Sequence, residues 1–406
     1  MTTPEAIPSG QRARVDWVDV AKGLSIIAVV FYHVSISGFS SPVADAINAP
    51  VGAARMPLFF FLSGLFAHRL VAQPWPTVVR RRVVGLLVPF AVWTVLFTVA
   101  FPNMSGRSAL VELVDPTGVT WFLAALAIAA ILTRATAGLP RGLVMAAALV
   151  LPVVAAVVLP ELQLKHLVQY WPMFLAGLWL RDAMLAGGAG RIVRTHRART
   201  AGIAVACGAV AACCGLAWSV VDAAVGAGPV RDGALWSLAA TAKVATAPFG
   251  IAGGIAVATA VSRLRWAPAR RVTDLIRWFG SHSLPTYVTH MFVLLWLREL
   301  VVTGNPAMEE AVRRAPLTAA CLMTVACLAA GALTEVTVGR LPVLRWVLYP
   351  PVPSGTPGVG RAWASAFPPP ARRLVRGGGA SRSGSPLAGA GEEGLLAHRV
   401  PAVTPG

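Results

Sequence analysis

Charged side chains are scarce in this 406-residue chain. Only 13% of the residues are Asp, Glu, Lys or Arg, whereas 56% are hydrophobic and the mean hydropathy is +0.68. Soluble domains of ordinary composition carry about 25% charged residues. The apolar residues come in repeated blocks, and a chain that crosses lipid must satisfy its backbone hydrogen bonds within each segment. The sequence therefore predicts an all-α, polytopic bundle of membrane helices and argues against a soluble domain.

Acidic residues and cysteines are also few. The 17 Asp and Glu are outnumbered by 35 Lys and Arg, which gives a net charge of +18. The basic residues form short clusters between apolar blocks and do not alternate with aromatics along one face, which argues against a nucleic-acid partner. All five cysteines lie in apolar blocks without the paired spacing of a zinc site. We therefore expect them to be small buried hydrophobes, and we expect no metal.

We interpret ten apolar blocks as membrane spans. The second, fourth and sixth are short or interrupted; the second contains Arg55 and Pro57, and the sixth contains Pro172. Interrupted helices are tolerated in a membrane where they line a cavity inside the bundle. The predicted spans are 20–39, 52–68, 83–101, 119–133, 142–160, 167–180, 201–221, 234–260, 284–302 and 316–336.

The distribution of basic residues predicts the orientation of these spans. With the N-terminus inside, 26 Lys and Arg fall in cytoplasmic segments and 5 in outer loops, as the positive-inside rule requires. Both termini are then cytoplasmic. We divide the chain into a polar N-terminal segment (1–15), a membrane domain (16–350) and a tail rich in Pro, Gly, Ser and Arg (351–406), which we expect to be disordered.

The stretch "VDVAKGLSIIAVVFYHV" (18–34) places two ionisable residues in the first span. Lys22 and His33 are eleven residues apart, so they share one face of a helix and are separated by about 16 Å along its axis. Asp19 lies one turn before Lys22 and can orient it. The competing interpretation is that Lys22 snorkels to the interface, but a histidine inside a membrane usually faces a polar interior.

Other polar or aromatic residues in apolar blocks are further candidates. Arg55 is costly in lipid unless it is paired, although it could instead lie before its span begins. Lys243 lies within the eighth span, where we expect it to line a pore or to meet an acid or a phosphate. Trp121 fits either an aromatic belt or a surface that stacks on a sugar ring. Tyr287 and His290 share one face of the ninth span, as pocket-lining groups or as core residues.

Four stretches, in order along residues 16–345, resemble the acyltransferase-3 family of integral membrane O-acyltransferases. The family's first element has an Asp, a basic residue followed by Gly-Leu, and a His at this spacing. Most members have Arg where this chain has Lys22, and the lysine resembles the sugar acetylase branch, such as fucose 4-O-acetylase. The four stretches are "DVAKGLSIIAVVFYH" (19–33), "MPLFFFLSGLFAHR" (56–69), "TWFLAALAI" (120–128) and "FGSHSLPTYVTHMFV" (279–293).

The resemblance implies a reaction. An acyl group, usually acetyl, moves from cytoplasmic acyl-CoA to a hydroxyl of a carbohydrate, a glycan or a secondary metabolite. Lys22, oriented by Asp19, would hold the CoA phosphates at the inner mouth. His33 would be the general base, and Arg55 would stabilise the oxyanion or hold the acceptor. Lys243 would extend the cofactor site.

On the acceptor side, the resemblance makes Tyr287 and His290 lining residues of the substrate pocket, together with Trp121 if it stacks on a sugar. The expected partners are membrane lipid, acyl-CoA and a hydroxyl-bearing acceptor, and the expected location is a bacterial cytoplasmic membrane.

Two other functions fit the composition. One is a polytopic transporter of an anionic solute, although no inverted repeat is visible. The other is a catalytically inactive membrane partner protein.

Overall fold

The fold is that of a computed structural model. The first fifteen residues, the predicted span 201–221 and the predicted tail lie outside the described residues, as do the side chains of 233–243 within a described helix. Within the described ranges every regular element is helical and no β-strand occurs, which confirms the all-α class. The structure describes residues 16–102, 106–158, 162, 164–185, 233–264, 266–338 and 341–349.

The helices are numbered in chain order. The third contains a π-helical turn at Val79–Val83, and a second π-helical turn, Arg298–Val302, follows the eleventh. The helices are α1 (Asp16–Ile36), α2 (Pro42–Leu65), α3 (Trp75–Ala100), α4 (Ala109–Val114), α5 (Trp121–Ala135), α6 (Arg141–Val158), α7 (Leu164–Val168), α8 (Trp171–Leu185), α9 (Gly233–Val261), α10 (Ala267–Ser281), α11 (Ser283–Leu297), α12 (Pro306–Arg314), α13 (Pro316–Val338) and α14 (Pro342–Leu348).

Every predicted span that falls in the described ranges overlaps a helix, and the sixth, 167–180, is divided between α7 and α8. Within the residues that the structure describes, four helical segments are long and apolar enough to cross a membrane: α1, α3, α13 and Val244–Val261 of α9. The helices α5 and α6 are apolar but shorter. The protein is therefore an all-helical membrane protein, while ten crossings and two cytoplasmic termini stay predictions.

Of the two expected interruptions, the one at Pro57 is absent, whereas the sixth predicted span is interrupted between α7, which ends at Val168, and α8, which begins at Trp171. The helix α2 begins ten residues before the predicted start, where Ser41 caps it and Pro42 occupies its first position. It then continues through Pro57 to Leu65. Pro172 is the second residue of α8, where proline is well tolerated because its missing N–H would have no helical partner. The helix α2 is therefore continuous through Pro57, and the sixth predicted span is divided just before Pro172.

The helices α4, α10, α12 and α14 lie outside the predicted spans, and α10 and α12 are the longest of them. The helix α10 occupies the predicted cytoplasmic loop after the eighth span, and α12 occupies the outer loop before the tenth. Both are amphipathic and carry several charges, so they fail the criterion of a long apolar run. The helix α10 matters for the site because one of its flanks packs on α1.

The helix α1 lies at the centre of the bundle. It contacts α2, α9, α10, α11 and α13, and none of its residues from Trp17 to Ser35 is exposed. Lys22 and His33 both belong to this enclosed stretch and are half-buried. Neither side chain can therefore face open lipid, and both must find polar or aromatic partners within the protein.

Close backbone contact joins α1 to α10 through two glycines. A Cβ atom added to Gly280 would overlap the carbonyl oxygen of Asp19, and one added to Gly23 would overlap that of Ile276. Small residues allow helix axes to approach closely in membrane bundles, where van der Waals packing supplies much of the attraction. The two glycines thus fix α10 against the half of α1 that carries Lys22.

We expect Gly280→Ala to destabilise the protein by about 1–3 kcal/mol, because the methyl group would force the two backbones apart. The measurement is the apparent melting temperature of the purified protein in detergent. Gly142→Ala is the matched control, since a Cβ atom there meets nothing within 4 Å. Alanine should be neutral or favourable at that helical position. Equal melting temperatures for the two variants would contradict the close contact.

Candidate active site

Lys22 is held against the last residues of α2. Its Nζ atom lies 5.1 Å from the centroid of the Phe66 ring, at a distance that allows a cation–π contact. Arg82 reaches the same residue from α3, where its Nη2 atom donates to the carbonyl oxygen of Phe66 at 3.2 Å. Two cations from different helices thus converge on Phe66.

Arg82 is a candidate that the sequence alone did not single out. It belongs to the run Arg80 to Arg82, which the positive-inside count treats as a marker of topology. Its contact with α2 depends on the π-helical turn Val79–Val83, since the extra residue in such a turn changes the direction of the side chains that follow. No apolar periodicity signals a π-helical turn, so only the structure shows this contact.

His33 lies near the other end of α1 from Lys22 and forms a hydrogen-bonded pair with His290 of α11. The Nδ1 atom of His33 lies 3.1 Å from the Nε2 atom of His290 and 3.0 Å from the carbonyl oxygen of Val29. The centroids of the two imidazole rings are 5.0 Å apart. His33 keeps some accessible surface, whereas His290 has none.

The backbone of α11 holds His290 in turn. Its Nδ1 atom lies 2.7 Å from the carbonyl oxygen of Tyr287 and 3.2 Å from that of Thr286. On the opposite side, the Sγ atom of Cys327 in α13 donates to the carbonyl oxygen of His290. The imidazole of His290 is therefore fixed by its own helix and lies behind that of His33.

Arg55 lies inside α2, with its charge next to this pair. Its guanidinium carbon is 3.7 Å from the centroid of the Tyr32 ring, and the Tyr32 ring is 5.4 Å from that of His33. The Nη1 atom of Arg55 is buried and has no hydrogen-bond partner among the residues that the structure describes. A buried N–H donor of a guanidinium without a partner is costly, so this atom is suited to an anion that binds there.

The aromatic candidates are fixed by packing and by one hydrogen bond. Trp121 begins α5 and its ring lies 6.0 Å from that of Tyr170. The hydroxyl of Tyr287 donates to the carbonyl oxygen of Val119, just before α5. The loop before Val119 is braced by an ion pair of 2.6 Å between Arg107 and Asp115. The hydroxyl of Tyr287 is thus engaged within the protein.

The structure sorts the predicted site residues into two regions. His33, His290 and Tyr287 form one connected cluster, and Arg55 joins it through Tyr32. Lys22 and Asp19 lie toward the other end of α1, about 16 Å away along its axis. Lys243 lies on α9, and its side chain is outside the described residues. The roles assigned to all these residues stay predictions.

The cluster has the elements of a site for general base catalysis. An imidazole with accessible surface can take a proton from a bound hydroxyl group. A desolvated guanidinium beside it can stabilise the negative charge that develops when the oxygen attacks. Lys22 and Arg82, which meet at Phe66 near the other end of α1, carry the charge that suits an anionic group.

Comparison with known proteins identifies the family of the chain. The model of the Acyl_transf_3 family, described as an acyltransferase domain, matches residues 15–336. No curated protein and no solved structure gives a significant match to the chain. The matched range begins just before α1 and ends within α13, so it includes every residue of the cluster. The chain therefore belongs to the acyltransferase-3 family of membrane acyltransferases.

Proposed function

We propose that the protein transfers an acyl group, acetyl in the first instance, from cytoplasmic acyl-CoA to a hydroxyl of a carbohydrate, a glycan or a secondary metabolite. The proposed location is a bacterial cytoplasmic membrane. The observation that carries the proposal is the proximity of a partly accessible imidazole, His33, to Arg55, whose buried Nη1 donor has no partner among the described residues. These are the base and the oxyanion donor that attack on a thioester needs.

The donor would bind with its phosphates at Phe66. Lys22 and Arg82 supply two positive charges there from α1 and α3, and Asp19 lies one turn from Lys22. Phosphate oxygens form strong charge-assisted hydrogen bonds with such groups. The pantetheine arm would then follow α1 toward His33 and carry the thioester there. Lys243 of α9 remains a proposed further contact for the cofactor.

The chemical step would be a direct transfer. The acceptor hydroxyl gives its proton to His33 as its oxygen attacks the thioester carbon. Collapse of the tetrahedral intermediate forms the ester and breaks the C–S bond, and the proton passes from His33 to the sulfur of CoA. No acyl-enzyme is needed, and Ser35, near His33 in the sequence, is buried and donates its hydroxyl to the carbonyl oxygen of Phe31.

Arg55 would stabilise the oxyanion of the intermediate. Its Nη1 atom is already desolvated and lacks a protein partner among the described residues. A donor placed in this way gains more from a developing negative charge than from a neutral carbonyl, which is the condition for catalysis. The stacking of Arg55 on Tyr32 keeps the guanidinium in place before the substrate arrives.

The acceptor would bind on the side of Trp121. Its ring is half-buried and packs near Tyr170, and an aromatic face of this kind suits the apolar face of a sugar. Tyr287 and His290 were predicted as substrate-binding groups. Their burial and their hydrogen bonds to backbone carbonyls favour a supporting role for both. We prefer a sugar as the acceptor, because Lys22 stands where most family members have Arg and this lysine resembles the sugar acetylases.

Replacing the proposed base should abolish turnover. We expect His33→Ala to lower kcat by about 10²–10⁴-fold, because general base catalysis is worth that much. The measurement is the release of CoA thiol from acetyl-CoA by the purified protein in detergent. His166→Ala, on the separate short helix α7, is the control and should retain activity. Normal activity in His33→Ala would refute the assignment of the base.

Replacing Lys22 should weaken donor binding with little change in the chemical step. Loss of a charge-assisted contact with phosphate is worth about 1.5–3 kcal/mol, so Lys22→Ala should raise KM for acetyl-CoA roughly 10- to 100-fold. Lys22→Arg keeps the charge and should restore most of the affinity. A KM that is the same in Lys22→Ala and in the unaltered protein would exclude Lys22 from the donor site.

The acceptor can be identified by deleting the gene and comparing products. We expect mass spectrometry of cell-envelope glycans and small metabolites to show one species that lacks an acetyl group in the deletion strain. A plasmid carrying the unaltered gene should restore that species, and one carrying His33→Ala should not. An acetylation pattern identical in all three strains would count against O-acetyl transfer to these acceptors.

A further inference from the structure

We propose that His290 is a positioning residue for His33: the hydrogen bond between the two imidazoles holds His33 in the tautomer whose Nε2 atom is unprotonated, and it stabilises the imidazolium that forms during transfer. This inference rests on the proposed function, because it assigns His33 a proton to accept. It gives His290 a role different from contact with the acceptor.

The tautomers follow from the backbone carbonyls that surround the pair. A carbonyl oxygen only accepts, so the Nδ1 atom of His290, 2.7 Å from the oxygen of Tyr287, must carry a hydrogen. The neutral ring then has a bare Nε2 atom. That atom can only accept from the Nδ1–H group of His33, which is 3.1 Å away and also points at the carbonyl oxygen of Val29.

The opposite assignment is unfavourable at both ends. If the Nε2 atom of His290 were the donor, its Nδ1 lone pair would face the carbonyl oxygens of Tyr287 and Thr286. The bare Nδ1 atom of His33 would face the oxygen of Val29 at 3.0 Å. Three acceptor pairs would then stand at contact distance without a hydrogen between them. Only the first assignment satisfies all of these groups.

The two imidazole rings differ in burial, so only one of them can act as the base. His290 has no exposed surface, so an acceptor cannot reach it, whereas His33 is partly accessible. With its Nδ1–H group engaged, His33 presents its Nε2 lone pair as the base. When Nε2 takes the proton of the acceptor hydroxyl, the positive charge on His33 strengthens the bond from Nδ1–H to the neutral His290. When Nε2–H gives that proton to the departing thiolate, the resting pair is restored.

The test compares two substitutions of His290 in the full-length purified protein. Glutamine places an amide oxygen near the position of Nε2 and can still accept from His33, whereas leucine cannot. We expect His290→Leu to lower kcat for acetyl-CoA hydrolysis by about 10- to 1,000-fold with KM changed less than about twofold, because a wrongly oriented base loses most of its effect. His290→Gln should recover activity to within about tenfold of the unaltered protein.

Cys327→Ser is the matched control. It keeps a donor to the backbone carbonyl of His290 without altering the imidazole pair, and we expect unchanged kinetics. Hydrolysis uses water in place of the acceptor, so a residue that only binds the acceptor would leave its rate unchanged. Equal hydrolysis rates in His290→Leu and in the unaltered protein would therefore overturn the positioning role.

A spectroscopic readout separates this inference from the proposed function. In protein labelled with ¹⁵N-histidine and reconstituted in lipid, we expect His33 to be protonated at Nδ1 and bare at Nε2, with His33→Ala identifying its signals. His290→Gln should keep this tautomer and its Nδ1 signal, whereas His290→Leu should shift the Nδ1 signal of His33, because only the carbonyl oxygen of Val29 is then left to accept from Nδ1–H. A His33 protonated at Nε2 in the unaltered protein would overturn the positioning role. The expected tautomer in a protein that releases no CoA would support the pairing and refute the proposed transfer.

Discussion

An ionisable side chain on a helix that other helices surround must find its partners inside the protein. The helix α1 has no exposed residue between Trp17 and Ser35, yet it carries Lys22 and His33. Each is matched by a group from another helix, Lys22 by the Phe66 ring and His33 by the His290 imidazole. The rest of the site is arranged around these two contacts. The contact with Phe66 positions the end of α2 against α1, and the contact with His290 positions α11 against α1.

Close helix packing makes that register possible. Gly23 and Gly280 bring the backbones of α1 and α10 into contact, and Gly64 and Gly177 do the same for α2 and α8. Membrane helices gain little from the hydrophobic effect against one another, so tight contact and satisfied polar groups supply much of the specificity. A fixed α2 in turn places Arg55 on Tyr32, one residue before His33. The geometry of the polar site therefore depends on residues that have no side chain at all.

The same arrangement separates two kinds of chemistry along one helix. The cations at Phe66 are suited to phosphate groups, and the imidazole pair with Arg55 is suited to proton transfer and to a developing oxyanion. A rigid α1 keeps the two regions about 16 Å apart. Both regions lie within the range that the acyltransferase-3 family model matches.

The sequence by itself determined the helical class, the approximate positions of the apolar helices in the described ranges and the shared face of Lys22 and His33, because hydropathy and the 3.6-residue repeat are local properties. It also identified the family through four ordered motifs. Only the tertiary structure decided that His33 pairs with His290 and that Arg82 meets α2 at Phe66. These contacts join residues far apart in the chain, and they depend on a π-helical turn, on glycine contacts and on burial, none of which local periodicity encodes.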